Sequence, residues 1–152
     1  MSIYEVIRNL RSDDENVRRE AWDTVDTLID KGIITKDDLI DLLRSHSDNE
    51  DVRSHAWYRV DTLIDKGIIT KDDSAKFIDL LRSDDKDIRR DAWDKVETLI
   101  DKGIIIEDEV KGVKDKFIDL LRSDNEDIRS YAWDKVYTLI DKGIITKEDT
   151  KK

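Results

Sequence analysis

Metal and proton chemistry would have to come from two histidines and 38 carboxylates, because the chain has no cysteine. His46 and His55 stand nine residues apart on different segments, and neither has a second histidine at metal-ligand spacing. The carboxylates are numerous, but no pair stands out from a repeated background. Ser12, Ser45, Ser83 and Ser123 fall in turns and read as helix caps rather than nucleophiles. The chain carries no G-x-S-x-G, no G-x-x-x-x-G-K-[ST] and no G-x-G-x-x-G. Its acidic turns lack the alternating ligands and central glycine of an EF-hand loop. The expectation is a protein with no catalytic site, no cofactor and no metal.

Recognition chemistry is better represented. On a helical wheel that starts at Val17, one arc collects Asp23, Asp26 and Asp30. The matching positions further along are Tyr58, Asp61 and Asp65, then Asp94, Glu97 and Asp101, then Asp134, Tyr137 and Asp141. Acids with interspersed tyrosines suit a basic protein or peptide, steered by charge and anchored on the rings. The same arc also fits a solvated face that keeps a chain soluble. Departures from the internal consensus sharpen the binding reading. His55, Tyr58 and Arg59 stand where the first copy has Glu20, Asp23 and Thr24, and Tyr131 and Tyr137 stand where it has Glu20 and Asp26. Charge reversal at Asp61, Asp65, Asp94 and Glu97 together is expected to weaken such a partner.

The elements that must position these residues come in four copies. Each copy has Ala-Trp, then Val, then Leu-Ile-Asp-Lys-Gly and a pair of isoleucines; Trp22, Trp57, Trp93 and Trp133 lie at intervals of 35, 36 and 40 residues. A second motif ending in Leu-Arg-Ser precedes each one, at Leu10, Leu43, Leu81 and Leu121. Each unit therefore reads as helix A, a turn, helix B and a glycine stop. Val17, Ala21, Val25 and Leu28 recur at i, i+4, i+8 and i+11, one face of a helix, which Trp22 and Ile29 widen. Ser12 with Glu15 fits a capping box, as do Thr35 with Asp38 and Thr70 with Asp73. Lys31 then Gly32 ends the helix through a left-handed glycine, with Ile33 closing over the last turn. Arg18 and Trp22, one turn apart, predict a structural cation–π contact. The glycine-to-arginine spacing grows along the chain by about one helical turn per copy. Helix A then lengthens at its start in the later copies, or Gly112 breaks the longest one. The units are read as about 1–32, 33–67, 68–103 and 104–143, with a tail over 144–152, all in one domain.

The run Leu80-Leu81-Arg82-Ser83-Asp84 leading into Ile88-Arg89-Arg90-Asp91-Ala92 resembles the HEAT repeat family, and the likeness recurs in register over about residues 3–143. The resemblance implies an all-α fold, a right-handed α-α superhelix (solenoid) of four helical hairpins with helices B on the concave side. It also implies a ladder in which Asp13, Asp48, Asp84 and Asp124 face Arg18, Arg53, Arg89 and Arg129. The chain departs from the family in placing Trp after the Ala and in having no proline in the turn. Because HEAT-like repeats occur in bilin lyases and in one class of DNA glycosylases, an enzyme or enzyme accessory is the alternative to a scaffold.

Charged residues make up 43% and hydrophobic ones 38%, a balance close to that of disordered chains, but the apolar residues recur at helical spacing and so argue for a folded one. A net charge of −10 repels phosphate backbones and argues against nucleic acid. No apolar run is long enough for a membrane, and the first residues lack the pattern of a signal peptide. The absence of cysteine fits a reducing cytoplasm, and the wealth of Lys, Glu, Asp and Ile suits a thermophile. Asn9 fills the slot of Leu42, Leu80 and Leu120, as a polar cap should. The last copy has no such device, so an apolar flank there predicts a monomer or a weak homodimer, unless the tail folds over it. Self-assembly is the third reading.

Overall fold

A computed structural model describes residues 3–44 and 50–151. Among them every regular element is helical and none is a strand. The chain divides into two compact units, Met1–Ile68 and Ile69–Lys152.

In the first unit, α1 (Ile3–Leu10) packs on α2 (Glu15–Asp30), and α3 (Lys36–Leu43) packs on α4 (Glu50–Asp65). In the second, a 3₁₀ turn (Lys71–Asp73) leads into α5 (Ser74–Leu81), which packs on α6 (Lys86–Asp94). Next come α7 (Val96–Asp101), α8 (Glu107–Lys111) and α9 (Lys114–Leu121). They are followed by α10 (Glu126–Asp134), α11 (Val136–Asp141) and a 3₁₀ turn (Glu148–Lys151). Helix α10 packs on both α9 and α6. No described helix is long and apolar enough to cross a membrane.

The helix ends follow local chemistry. Gly32, Gly67, Gly103 and Gly143 adopt φ of 74° to 78°, which side chains with a Cβ resist. There Gly32 donates to the Ile29 carbonyl and Ile33 to that of Leu28, the paired bonds that close a helix around a left-handed residue. Ile33 nonetheless stays exposed, and Ile34 is the residue that buries. Thr35 with Asp38 and Thr70 with Asp73 form the expected capping boxes.

The capping box expected of Ser12 and Glu15 is not what forms. Asp14 is the N-cap, and its carboxylate accepts from the amides of Asn16 and Val17. Ser12 Oγ instead accepts from the Asp14 amide at 3.1 Å. The turns before α6 and α10 repeat this with Ser83 and Asp85, and with Ser123 and Asn125. An aspartate or asparagine two places further along takes the free amides, and such a cap is worth about 1 kcal/mol. Across the same turn Arg18, Arg89 and Arg129 donate to the carbonyls of Ser12, Ser83 and Ser123 at 2.7 to 2.8 Å. In these three copies the arginine thus satisfies a carbonyl just past the end of its own helix A. Ser45, His46 and Asp48 lie outside the described residues.

Helix B is continuous in α2 and α4 but breaks at Lys95 between α6 and α7, and at Lys135 between α10 and α11. At Lys95 the amide bonds back three residues, to Ala92, before the ladder resumes. Helix A does not simply lengthen either. The added residues form a separate 3₁₀ turn before α5 and a separate helix, α8, before α9. The second break falls at Gly112 and Val113, as interior glycine favours.

The cores are aliphatic with aromatic centres: Val25, Leu39, Val60 and Leu63 in the first unit, and Phe77, Trp93, Leu99 and Phe117 in the second. Leu42, Leu80 and Leu120 are buried, whereas Asn9 in the same slot is only half-buried. Val17, expected in the core, is 37% exposed, while its counterparts Val52 and Ile128 are buried.

Candidate functional site

The four tryptophans occupy one sequence position and three environments. Trp22 is 2% exposed and Trp93 is 1%, but Trp133 is 44%. The indole N–H of Trp93 donates to the Leu81 carbonyl at 3.0 Å, and its ring lies against Phe117 with centroids 5.0 Å apart. Trp133 makes the same bond to Leu121 at 3.3 Å. The Trp22 indole N–H is buried without a hydrogen-bond partner among the described residues.

Trp22 is covered from α4. His55 stacks on its ring at 5.0 Å with the planes 20° apart. One turn later the Arg59 guanidinium sits 5.6 Å from the same ring and 5.0 Å from that of Tyr58. Arg59 also donates to the Trp22 carbonyl at 3.2 Å and places Nε 3.1 Å from Asp26. The cation over Trp22 is therefore Arg59, a residue of the next copy, whereas the sequence reading assigned that contact to Arg18. Arg18 lines the same side of α2 but donates to the Ser12 carbonyl at 2.7 Å.

Several residues of the acidic arc are already neutralised. Asp26 pairs with Arg59, and Asp30 approaches Lys66 at 3.9 Å. In the second unit Asp94 pairs with Lys135 at 2.9 Å and Asp101 with Lys142 at 3.0 Å. The Asp101 hydrogen bond, with the fields of Asp101, Glu97 and Glu107, raises the Lys142 pKa above the ordinary lysine value. Each pair joins an acid of one copy to a base of the following copy. The acidic arc read from the sequence is thereby partly neutralised. The lysine that recurs in Ile-Asp-Lys-Gly was the available signal for two of these four pairs, those of Lys66 and Lys142. Asp61 is half-buried, while Asp23, Asp65, Asp134 and Asp141 are exposed.

The clearest concentration of exposed aromatic surface with acid beside it lies on α10 and α11. Trp133 and Tyr137, the latter 80% exposed, sit one turn apart, with Asp134 following the first and Asp141 one turn beyond the second. With Val136 and Ile140 they floor a groove of about 270 Å³ rimmed by Lys147, Thr150 and Lys151. Tyr131, 48% exposed, lies nearby on the same helix under the Arg90 guanidinium at 5.8 Å.

The tail covers only part of this end. Ile144 and Ile145 are buried, and Thr146 and Asp149 exchange capping bonds. Lys114 meets Asp149 at 3.2 Å. The Thr146 amide and then Lys114 hold the Asp149 carboxyl below the usual carboxylate range, against desolvation. Trp133, read from the sequence as packed between copies, is the functional candidate that reading missed. Among the described residues no three His, Asp or Glu side chains converge as metal ligands. Compared with known proteins, the chain matches no family model, no curated protein and no solved structure.

Proposed function

We propose that the chain is a HEAT-like repeat module, four helical hairpins in all, that serves as a protein-interaction scaffold and binds a basic protein or peptide through the acidic, aromatic side of helix B. One observation carries the reading. Trp133 and Tyr137 are exposed with Asp134 and Asp141 beside them in the chain, while Trp93, which holds the Trp133 position one copy earlier, is buried. Large rings held in water beside exposed carboxylates are the usual chemistry of a recognition surface. The net charge of −10 steers cationic partners toward it.

The test is a titration of ¹⁵N-labelled protein with a lysine-rich peptide and, separately, with a glutamate-rich one. The lysine peptide is expected to shift resonances of α10 and α11 at low salt and to release at high salt. Asp134→Lys combined with Asp141→Lys is expected to weaken it about tenfold or more. This pair replaces a reversal that includes Asp94, which would break the bond to Lys135 and confound binding with stability. Equal binding of both peptides, or an unchanged double variant, would refute the reading.

A further inference from the structure

We infer that the open Trp133 face receives a helix from a partner protein that presents a ring, an arginine and a lysine at positions i, i+4 and i+11. The inference rests on the basic-partner reading and specifies the register of the ligand.

The chain contains its own precedent. Over Trp22, α4 and the residue just past it supply His55, Arg59 and Lys66, which have that spacing. At 100° per residue the three fall within about 40° of one another on a helix. His55 stacks on the indole, Arg59 lies over it and reaches Asp26, and Lys66 approaches Asp30. At the far end of the same contact Lys36 Nζ lies 3.5 Å from the Ile68 carbonyl, just past the end of the covering helix.

The second unit keeps the spacing and the two ion pairs, although there Phe117 covers Trp93 and Tyr131 lies against Arg90. Tyr131, Lys135 and Lys142 have the same spacing, and the two lysines pair with Asp94 and Asp101.

Repeat 4 displays the receiving half of this arrangement. Counting from the tryptophan, Trp133, Tyr137, Asp141 and Lys147 stand where Trp22, Asp26, Asp30 and Lys36 stand. Tyr137 in place of Asp26 exchanges a carboxylate for a ring, and Arg59 already lies over such a ring at Tyr58. A planar guanidinium is the cation that stacks on two aromatic faces, and Asp134 adds a carboxylate at the position from which Asp94 holds Lys135. Lys147 is placed to meet the last carbonyls of the incoming helix.

A second copy of this chain supplies the wrong residues. Its first repeat has Glu20, Thr24 and Lys31 in the register of His55, Arg59 and Lys66, so the ring and the arginine are missing.

The probe is an unlabelled alanine–glutamine helix carrying Tyr, Arg and Lys in that register. The readout is the indole N–H resonance of Trp133 in ¹⁵N-labelled protein, assigned with Trp133→Phe. The registered peptide should shift this resonance selectively. A scrambled peptide of the same composition, and one with Arg replaced by Ala, should bind about tenfold more weakly. Tyr137→Ala, a change at a residue 80% exposed, should cost a similar factor without disturbing the fold.

If the scrambled peptide binds equally well, or if the shifts fall on the other three indoles, the register is wrong. If the lysine-rich peptide binds and the registered helix does not, this inference fails and the basic-partner reading stands. If neither binds, both fail. Concentration-dependent growth in mass of the protein alone would assign the face to a second copy and overturn the partner.

Discussion

Trp22 and Trp133 share a sequence position and sit at opposite ends of a physical comparison. Trp22 leaves its N–H without a partner but has His55 and Arg59 of α4 pressed over it. Trp133 satisfies its N–H on Leu121 and remains 44% exposed. Trp93 has both advantages, a bonded N–H and a buried ring. The difference teaches that burial of these indoles is conferred by the following helical hairpin, while the N–H bond is conferred by the preceding helix A. The bonded indoles are those of α6 and α10, the helices that break just after the tryptophan. The one-residue tightening there accompanies the turn of the ring toward helix A.

The strongest way to break the comparison is to delete the rings in turn. Trp93→Ala removes a buried, hydrogen-bonded indole and is expected to cost about 3–5 kcal/mol. Trp133→Ala should cost less than about half of that, because much of its ring is already hydrated. Urea unfolding followed by circular dichroism measures both, and equal losses would contradict the environments described.

A middle-sized effect is expected at Arg59. Its side chain is 13% exposed and touches two rings, a carbonyl and a carboxylate. Arg59→Ala should destabilise by about 1–3 kcal/mol, through lost packing as much as lost charge. Arg59→Lys should recover only part of this, since a lysine cannot stack and bond simultaneously. Full recovery would reduce the contact to simple ion pairing.

The smallest effect concerns the tail. The Asp149 pKa is lowered in the folded state, so its contribution is present above the ordinary carboxylate value of about 3.9 and is lost as pH falls through the lower folded value. Asp149→Asn keeps a capping acceptor but removes the charge. The variant should match the parent in acid below that window and be less stable than it above. A constant difference at every pH would sink the assignment.

Much of the local structure was legible from residue types. The four glycines, the Thr-x-x-Asp boxes and the spacing of Val, Leu and Ile each act within a few residues, so their geometry follows wherever the segment sits. Ser12 was misread because two cap candidates two residues apart differ only in which carboxylate or hydroxyl meets the free amides. The candidate site was less legible. Asp26 and Asp94 look like the exposed Asp134 in sequence, yet each is neutralised by a base more than thirty residues away.

The sequence by itself determined that this chain forms helices, that four glycines close some of them, and how its acids and aromatics are spaced along them. Only the tertiary structure decided which tryptophan is covered, which carboxylates are paired and which face remains open. Helix ends and spacing depend on bonds between near neighbours, whereas burial and charge balance depend on what a distant helix brings against the same surface.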